Sequence, residues 1–164
     1  MPILTPNSLE IISRSPEQTR RVGMRLGPLL QPGDVVCLVG ELGSGKTTFM
    51  QGVASGWGSL DPVSSPTFVL VNVYRRPEEQ RLFHLDAYRL GSVAEAVDLD
   101  IDSMLVAGPM IVEWADRIEP ALPANNLWVT MQWVDDYQRD LMFTAHGVRY
   151  QEMLAGFRKL VYGG

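Results

Sequence analysis

The sequence predicts an α/β fold in which helices flank a mixed β-sheet that carries two antiparallel hairpins. Segments with the composition of strands alternate with segments whose apolar residues recur at helical spacing, as in α/β domains. Two pairs of neighbouring strands are separated only by short polar turns, so part of the sheet is antiparallel. A chain of 164 residues is long enough for one domain, which we expect to span residues 1–164.

The first quarter of the chain predicts a strand, a helix and a second strand. Leu9–Ser13 has the composition of a short strand. Ser15 is a suitable N-cap for a helix over Pro16–Leu30, and proline is favoured in a first helical turn. The apolar run within residues 34–40 is typical of a strand buried in the middle of a sheet. A second helix is predicted to follow over Thr47–Trp57.

The remaining elements complete the sheet and its helical layers. They are, in chain order, a hairpin of strands at about Phe68–Arg75 and Arg81–Leu85, a helix over much of residues 92–108, a strand ending at Glu113, a closing hairpin over residues 127–134 and 140–146, and a C-terminal helix from Val148. Because hairpins and interleaved helices occur together, a mixed sheet fits better than an all-parallel one.

Composition restricts the functional classes. The net charge of −5 argues against a protein that holds nucleic acid by its own field. No apolar run approaches eighteen residues and no signal peptide is evident, so we expect a cytoplasmic protein that does not span a membrane. The single cysteine, Cys37, cannot form an internal disulfide. Two histidines and one cysteine argue against a structural zinc site.

The segment from Gly40 to Thr47 reads GELGSGKT and matches the pattern G-x-x-x-x-G-K-[ST] between a strand and a helix. Glycines let successive backbone N–H groups point at phosphate oxygens, and the start of the helix adds partial positive charge. The lysine reaches the β- and γ-phosphates, and the threonine hydroxyl is a Mg²⁺ ligand. The predicted fold is therefore P-loop NTPase-like, with ATP and Mg²⁺ as ligands. The residues expected at the nucleotide are Leu42, Gly43, Ser44, Gly45, Lys46, Thr47 and Thr48.

A P-loop site also needs a carboxylate, normally at the end of a neighbouring buried strand. Glu113 directly follows Ile111 and Val112, so we expect it to hold Mg²⁺ together with Thr47. The alternative is a strand-end glutamate that faces solvent. Arg139, in the turn of the closing hairpin, is a candidate contact for the base or the ribose.

Four motifs resemble the bacterial TsaE family in their order and spacing. They are GELGSGKTTF from Gly40, SPTF over residues 65–68, HLDAYRL over residues 84–90 and VEW over residues 112–114. That family is the small ATPase of tRNA threonylcarbamoyladenosine biosynthesis. SPTF and HLDAYRL are not general P-loop signals, so the resemblance distinguishes this chain from kinases and GTPases.

The resemblance implies roles for particular residues and for partners. Thr67 would be a switch-like threonine near the γ-phosphate, and Asp86 an essential carboxylate that orients the attacking water or the water shell of the metal. Glu113 would be the partner of Thr47 at Mg²⁺, either directly or through a group bound to the metal, and Trp114 would lie beside the site. With Lys46, the residues Asp86, Glu113 and Thr67 form the expected catalytic set. The partners would be the TsaB and TsaD proteins, with tRNA reached only through them.

Other interpretations of these residues stay open at the level of sequence. His84 fits a hydrogen-bonded histidine within the sheet, Asp86 fits a cap on the turn after its strand, and Thr67 fits the start of an extended strand. Two other functions also remain: a small-molecule kinase, and a nucleotide-gated binding module whose hydrolysis is incidental. A kinase usually covers its phosphates with an arginine-bearing lid, but residues 90–127 contain only Arg117.

Overall fold

The computed structural model describes residues 7–41, 43–63 and 70–163. Within these ranges the chain forms one sheet and five α-helices. The strands are β1 (Ser8–Ser13), β2 (Val35–Val39), β3 (Val71–Arg76), β4 (Gln80–Asp86), β5 (Met110–Glu113), β6 (Asn126–Trp133) and β7 (Arg139–His146). The helices are α1 (Pro16–Leu26), α2 (Lys46–Trp57), α3 (Val93–Asp98), α4 (Ile101–Ala107) and α5 (Val148–Tyr162). None of them, in the part of the chain so described, has both the length and the apolar character needed to cross a bilayer.

The sheet has the strand order β1-β7-β6-β2-β5-β4-β3. Its four central strands, β6, β2, β5 and β4, are parallel, whereas β3 and the pair β7 and β1 add antiparallel edges. The two predicted hairpins are therefore confirmed as β3–β4 and β6–β7. The predicted start of the first hairpin, at Phe68, lies outside the described residues.

Helices cover both faces of the central sheet. On one face, Val36 and Leu38 of β2 pack in a buried cluster with Phe49 and Val53 of α2 and with residues of α1 and α5. On the other face, Val35 and Cys37 pack with residues of α3 and α4. Alternate residues of a strand point to opposite faces, which is why a strand buried on both sides is apolar throughout. Burial raises the pKa of the Cys37 thiol to about 12, as expected for an unreactive core residue.

Glycines set an unusually short separation between α1 and α2. A Cβ atom on Gly52 of α2 would lie 2.0 Å from the carbonyl oxygen of Arg20 in α1, and one on Gly56 would lie 2.1 Å from that of Met24. Conversely, Gly23 of α1 and Gly27, which directly follows α1, meet the backbone of α2. Each side of the contact thus presents two glycines four residues apart, about one turn from each other. Larger residues there would push the helices apart.

Two predicted helices differ from those in the structure: one ends earlier and the other is divided in two. The helix predicted over Pro16–Leu30 ends at Leu26 and continues as a 3₁₀ turn over Gly27–Leu29, because Pro28 has no N–H to extend the helical ladder. The helix predicted within residues 92–108 is divided into α3 and α4 by Asp100, whose φ of 55° is left-handed. A residue in that conformation cannot continue a right-handed helix.

Candidate nucleotide site

The loop between β2 and α2 exposes backbone donors at a helix N-terminus. Gly43 and Gly45 adopt φ angles of 82° and 98°, which only glycine accommodates without steric cost. Gly45 is the N-cap of α2 and has no side chain that could accept a hydrogen bond from the first turn. The first helical hydrogen bond joins the Phe49 N–H to the Gly45 carbonyl. The N–H groups of the first turn are therefore free of helical partners and suit an anion.

The loop forms one wall of a cavity of about 450 Å³, within the range of small-molecule sites. The other walls come from the start of α1, from the ends of β4 and β5 and from the β6–β7 turn. Of the residues predicted from the sequence to form the site, those lining the cavity are Gly43, Gly45, Lys46, Thr47, Thr48, Asp86, Glu113 and Arg139. Ser44 is fully buried in the loop, whereas Leu42 and Thr67 lie outside the described residues.

Lys46 is the buried cation of this cavity. Its ammonium donates hydrogen bonds to the carbonyl oxygens of Gly40 and Glu41, the latter at 3.0 Å. It also lies 4.3 Å from the centroid of the Trp114 ring, which places Trp114 beside the site. Burial lowers the pKa of Lys46 from its ordinary value of 10.5, although the negative charge of Glu113 acts in the opposite direction. The loop carbonyls and the indole ring thus hold the charge that phosphates would otherwise bind.

Two carboxylates meet at the carboxyl ends of neighbouring parallel strands. Asp86 ends β4, Glu113 ends β5, and the two residues are direct partners in the strand register. Glu113 is 8% exposed, so the interpretation as a solvent-facing strand end is wrong. The negative charges of both carboxylates raise the pKa of Lys46, against the larger lowering effect of burial. The sheet therefore brings together the acidic pair and the lysine that the motifs predicted separately.

Asp86 has two structural roles besides its place in the cavity wall. Its Oδ1 atom accepts a hydrogen bond of 3.0 Å from the Tyr88 N–H, which caps the 3₁₀ turn over Ala87–Arg89. Its own N–H donates to the Leu70 carbonyl at 3.0 Å. The interpretation of Asp86 as a turn cap is confirmed, and it is compatible with a place in the cavity because a carboxylate can accept several hydrogen bonds.

His84 and Tyr74 extend the site into the sheet. The His84 Nε2 atom lies 2.5 Å from Glu113 Oε2, and Nδ1 lies 2.9 Å from the Tyr74 hydroxyl. The prediction of a hydrogen-bonded sheet histidine is thereby confirmed. Tyr74 was missed from the sequence, although its position on β3, two residues after Asn72, places it on the same face as His84.

Arg139 connects the loop to the β6–β7 turn. Its Nε atom donates to the Gly43 carbonyl at 3.0 Å, and Nη1 donates to the Asp135 carbonyl at 2.5 Å. The sequence did not indicate that Ser15 and Thr19, at the start of α1, would also line the cavity. An amphipathic pattern identifies which face of a helix is buried, but not which end of the helix meets a cavity.

The donors in the cavity fit Mg²⁺ bound together with phosphates. In the ranges that the structure describes, no group of three or more His, Cys, Asp or Glu residues is placed to hold a metal ion by itself. The hydroxyl of Thr47 and the two carboxylates are oxygen donors, which Mg²⁺ prefers, and Mg²⁺ usually completes its shell with water and phosphate oxygens. The residues therefore fit a magnesium–nucleotide complex better than an ion held by protein alone.

Comparison with known proteins identifies the family. The family model described as threonylcarbamoyl adenosine biosynthesis protein TsaE matches residues 13–141. This range contains the loop, Asp86, Glu113 and Arg139. The chain belongs to the TsaE family. It is thus a tRNA threonylcarbamoyladenosine biosynthesis protein of the TsaE type, as its four motifs implied.

Individual TsaE proteins are similar over most of the chain. The tRNA threonylcarbamoyladenosine biosynthesis protein TsaE of Bacillus subtilis is 38% identical over 137 residues, which are 84% of this chain and 85% of the relative. That of Nostoc is 33% identical over 144 residues, 85% of this chain and 87% of the relative. That of Streptomyces coelicolor is 46% identical over a shorter range, 99 residues.

A solved structure supports the fold. The crystal structure of Bacillus subtilis YdiB superposes with a TM-score of 0.77 at 31% sequence identity, and the match covers 93% of this chain and 95% of that one. The predicted P-loop NTPase-like fold is thereby confirmed.

Proposed function

We propose that this TsaE protein binds ATP with Mg²⁺ in the cavity and hydrolyses it to ADP and phosphate, in support of repeated turnover by the TsaB–TsaD pair. One observation carries the proposal. Asp86 and Glu113 are register partners at the ends of adjacent parallel strands, and they share a cavity with Lys46 and Thr47 at the N-terminus of α2. Phosphoryl transfer to water needs this combination of anion donors, cation and metal-holding carboxylate.

Each residue has a distinct part in this reaction. The N–H groups of the loop and the Lys46 ammonium bind the β- and γ-phosphates. The Thr47 hydroxyl and the Glu113 carboxylate hold Mg²⁺, and Asp86 orients the attacking water or the water shell of the metal. When bound, the metal neutralises charge that develops on the phosphate oxygens. Thr67 is expected to complete the site near the γ-phosphate, and Arg139 to contact the base or the ribose.

We infer that the isolated protein hydrolyses ATP slowly. Fast phosphoryl transfer usually uses a second cation, often an arginine finger worth about 10³ to 10⁵ in rate. Among the described residues, Arg89 is exposed on the turn after Asp86, and the arginine that lines the cavity, Arg139, is engaged by carbonyl groups. A partner that supplies charge or excludes water would then accelerate the reaction. The net charge of −5 also suits a cytoplasmic protein that reaches tRNA only through its partners.

Phosphate release, measured with the purified chain alone and with the TsaB–TsaD pair, tests the proposal. We expect a low rate alone and a clear increase when both partners are present. A high rate alone that the pair does not change would favour a self-sufficient ATPase. Phosphate transfer that depends on an added small acceptor would instead favour a kinase and would overturn the proposal.

A further inference from the structure

A buried chain of hydrogen bonds ends on the Glu113 carboxylate. It runs from the Tyr74 hydroxyl to His84 Nδ1 over 2.9 Å, and from His84 Nε2 to Glu113 Oε2 over 2.5 Å. Tyr74 and His84 are 3% and 2% exposed, so water does not replace either partner. These hydrogen bonds link three neighbouring strands, β3, β4 and β5.

We propose that His84, held by Tyr74, is a positioning residue that fixes the Glu113 carboxylate for its role toward Mg²⁺. The inference rests on the proposed function, because it assigns to Glu113 the part of a metal-holding carboxylate. Groups that hydrogen-bond to a metal-holding side chain fix its orientation, and their loss typically lowers metal affinity or activity by about 10- to 100-fold. His84 itself is not a catalytic residue in this account, since it acts through Glu113.

The strand register explains why the contact has this geometry. His84 is the register partner of Ile111, and Asp86 is the register partner of Glu113. Residues two apart lie on the same face of a strand, so His84 and Asp86 share one face of β4. Asp86 lies directly opposite Glu113 on β5, and His84 lies diagonally opposite it. His84 therefore reaches Glu113 from within the sheet, while Asp86 lines the cavity at the strand end.

The contacts of the imidazole assign a role to each of its nitrogens. A carboxylate accepts hydrogen bonds, so Nε2 donates its hydrogen to Glu113 Oε2. The Tyr74 hydroxyl, which can donate or accept, holds Nδ1 at 2.9 Å. This arrangement leaves the second carboxylate oxygen, Oε1, for the metal and its water.

Three substitutions separate positioning from simple packing. His84→Gln keeps an N–H donor near the place of Nε2, His84→Leu replaces the ring by an apolar side chain, and Tyr74→Phe removes only the hydroxyl. The control is Leu82→Val, because Leu82 is a buried residue two positions before His84 on the same strand face. It perturbs packing at the same place without removing a polar group.

The first measurement is a calorimetric titration of each variant with ATP over a series of Mg²⁺ concentrations and in EDTA. For His84→Leu we expect the half-saturating Mg²⁺ concentration to rise by about 10-fold or more, with ATP affinity in EDTA unchanged within about twofold. His84→Gln should recover most of this loss, Tyr74→Phe should fall between them, and Leu82→Val should match the wild type. Equal values for His84→Gln and His84→Leu, or an unchanged Mg²⁺ dependence in His84→Leu, would overturn the proposal.

The second measurement is kinetic and uses the TsaB–TsaD pair. A misplaced metal ligand lowers the rate of the chemical step more than it weakens nucleotide binding. We therefore expect His84→Leu to lower kcat by about 10-fold or more while KM for ATP at saturating Mg²⁺ changes by less than about threefold. A matching rise in KM with kcat unchanged would indicate a packing role and would contradict the proposal.

The third measurement needs neither hydrolysis nor metal. The chain has two histidines, and His146 is exposed at the end of β7, so a His146→Gln background leaves a single imidazole for ¹⁵N nuclear magnetic resonance. We expect a proton on Nε2 whose signal shows a strong hydrogen bond. Tyr74→Phe should change the Nδ1 shift. A ring with its proton only on Nδ1 would overturn the proposal.

These measurements distinguish the inference from the proposed function. If the wild type releases no phosphate with its partners, the proposed hydrolysis fails, whereas the Mg²⁺ titration still decides whether His84 positions Glu113. If hydrolysis is found and the Mg²⁺ dependence is the same in His84→Leu, only the positioning role fails.

Discussion

The Lys46 ammonium lies over the indole ring of Trp114, 4.3 Å from the ring centroid. Trp114 adopts a φ of 57°, a left-handed conformation that costs a bulky residue of order 1–3 kcal/mol and is found most often at functional sites. Its ring also contacts Tyr88, with centroids 5.0 Å apart. Trp114, which directly follows Glu113, therefore touches Lys46 at an energetic cost to the backbone.

This contact predicts an optical signal of nucleotide binding. When Lys46 moves to a bound phosphate, the charge next to the Trp114 ring changes, and so does the ring's fluorescence. We expect Trp114→Phe to remove most of the fluorescence change caused by ATP and Mg²⁺. The matched control is Trp128→Phe, because Trp128 lines a separate pocket with Asn126 and His146. A change that persists in Trp114→Phe and disappears in Trp128→Phe would contradict the prediction.

Lys46→Ala should abolish most of the nucleotide affinity. The substitution removes a charge-assisted hydrogen bond worth about 1.5–3 kcal/mol, which corresponds to roughly 10- to 100-fold weaker binding. Calorimetric titration with ATP and Mg²⁺ measures it. Lys159→Ala is the control, since Lys159 is the other lysine of the chain and is exposed on α5. Binding by Lys46→Ala within about threefold of the wild type, less than roughly 0.7 kcal/mol, is not compatible with the site described.

Gly52→Ala should destabilise the protein although alanine favours helices. The new Cβ would lie 2.0 Å from the Arg20 carbonyl oxygen, so α1 and α2 must separate at a cost of about 1–3 kcal/mol or more. The gain in helix propensity, at most about 1 kcal/mol, does not offset this cost. Urea unfolding gives the free energy of unfolding for each variant.

A second glycine provides the matched control for Gly52. Gly156 lies within α5, and a Cβ there would meet its nearest atom, on Leu29, at 3.9 Å, which is ordinary contact. Gly156→Ala should therefore stabilise the protein by about 0.5–1 kcal/mol. If Gly52→Ala is as stable as Gly156→Ala, the contact between α1 and α2 is not as close as described.

The sequence predicted correctly those parts of the fold that depend on a local pattern of residues. The loop between β2 and α2 has a fixed spacing of glycines, lysine and threonine, and its strand and helix neighbours follow from short apolar runs. Both hairpins were also predicted, because each has a polar turn between apolar strands. These features depend on residues within about ten positions of one another, where backbone geometry is most strongly determined by sequence.

The features that were missed depend on contacts between distant segments. The register of β4 against β5 decides that His84 reaches Glu113, and nothing in either strand alone indicates this register. The glycine spacing of α1 and α2 is visible in the sequence, but which glycines meet depends on how the two helices cross. The break at Asp100 is an exception with a local basis, because aspartate is a poor helix former and the Asp100 carboxylate accepts a hydrogen bond from the Ser103 hydroxyl.

In the proposed function, Asp86 and Glu113 serve the chemistry, whereas the loop and Lys46 bind the nucleotide. Asp86→Asn and Glu113→Gln keep side-chain volume but remove the charges that hold Mg²⁺ and align water. The most direct test measures ATP binding and phosphate release for both variants and the wild type, with the TsaB–TsaD pair present. We expect measurable ATP binding in both variants and phosphate release lowered by about 100-fold or more, equivalent to roughly 2.7 kcal/mol of barrier. Wild-type rates of phosphate release in both variants would contradict these roles.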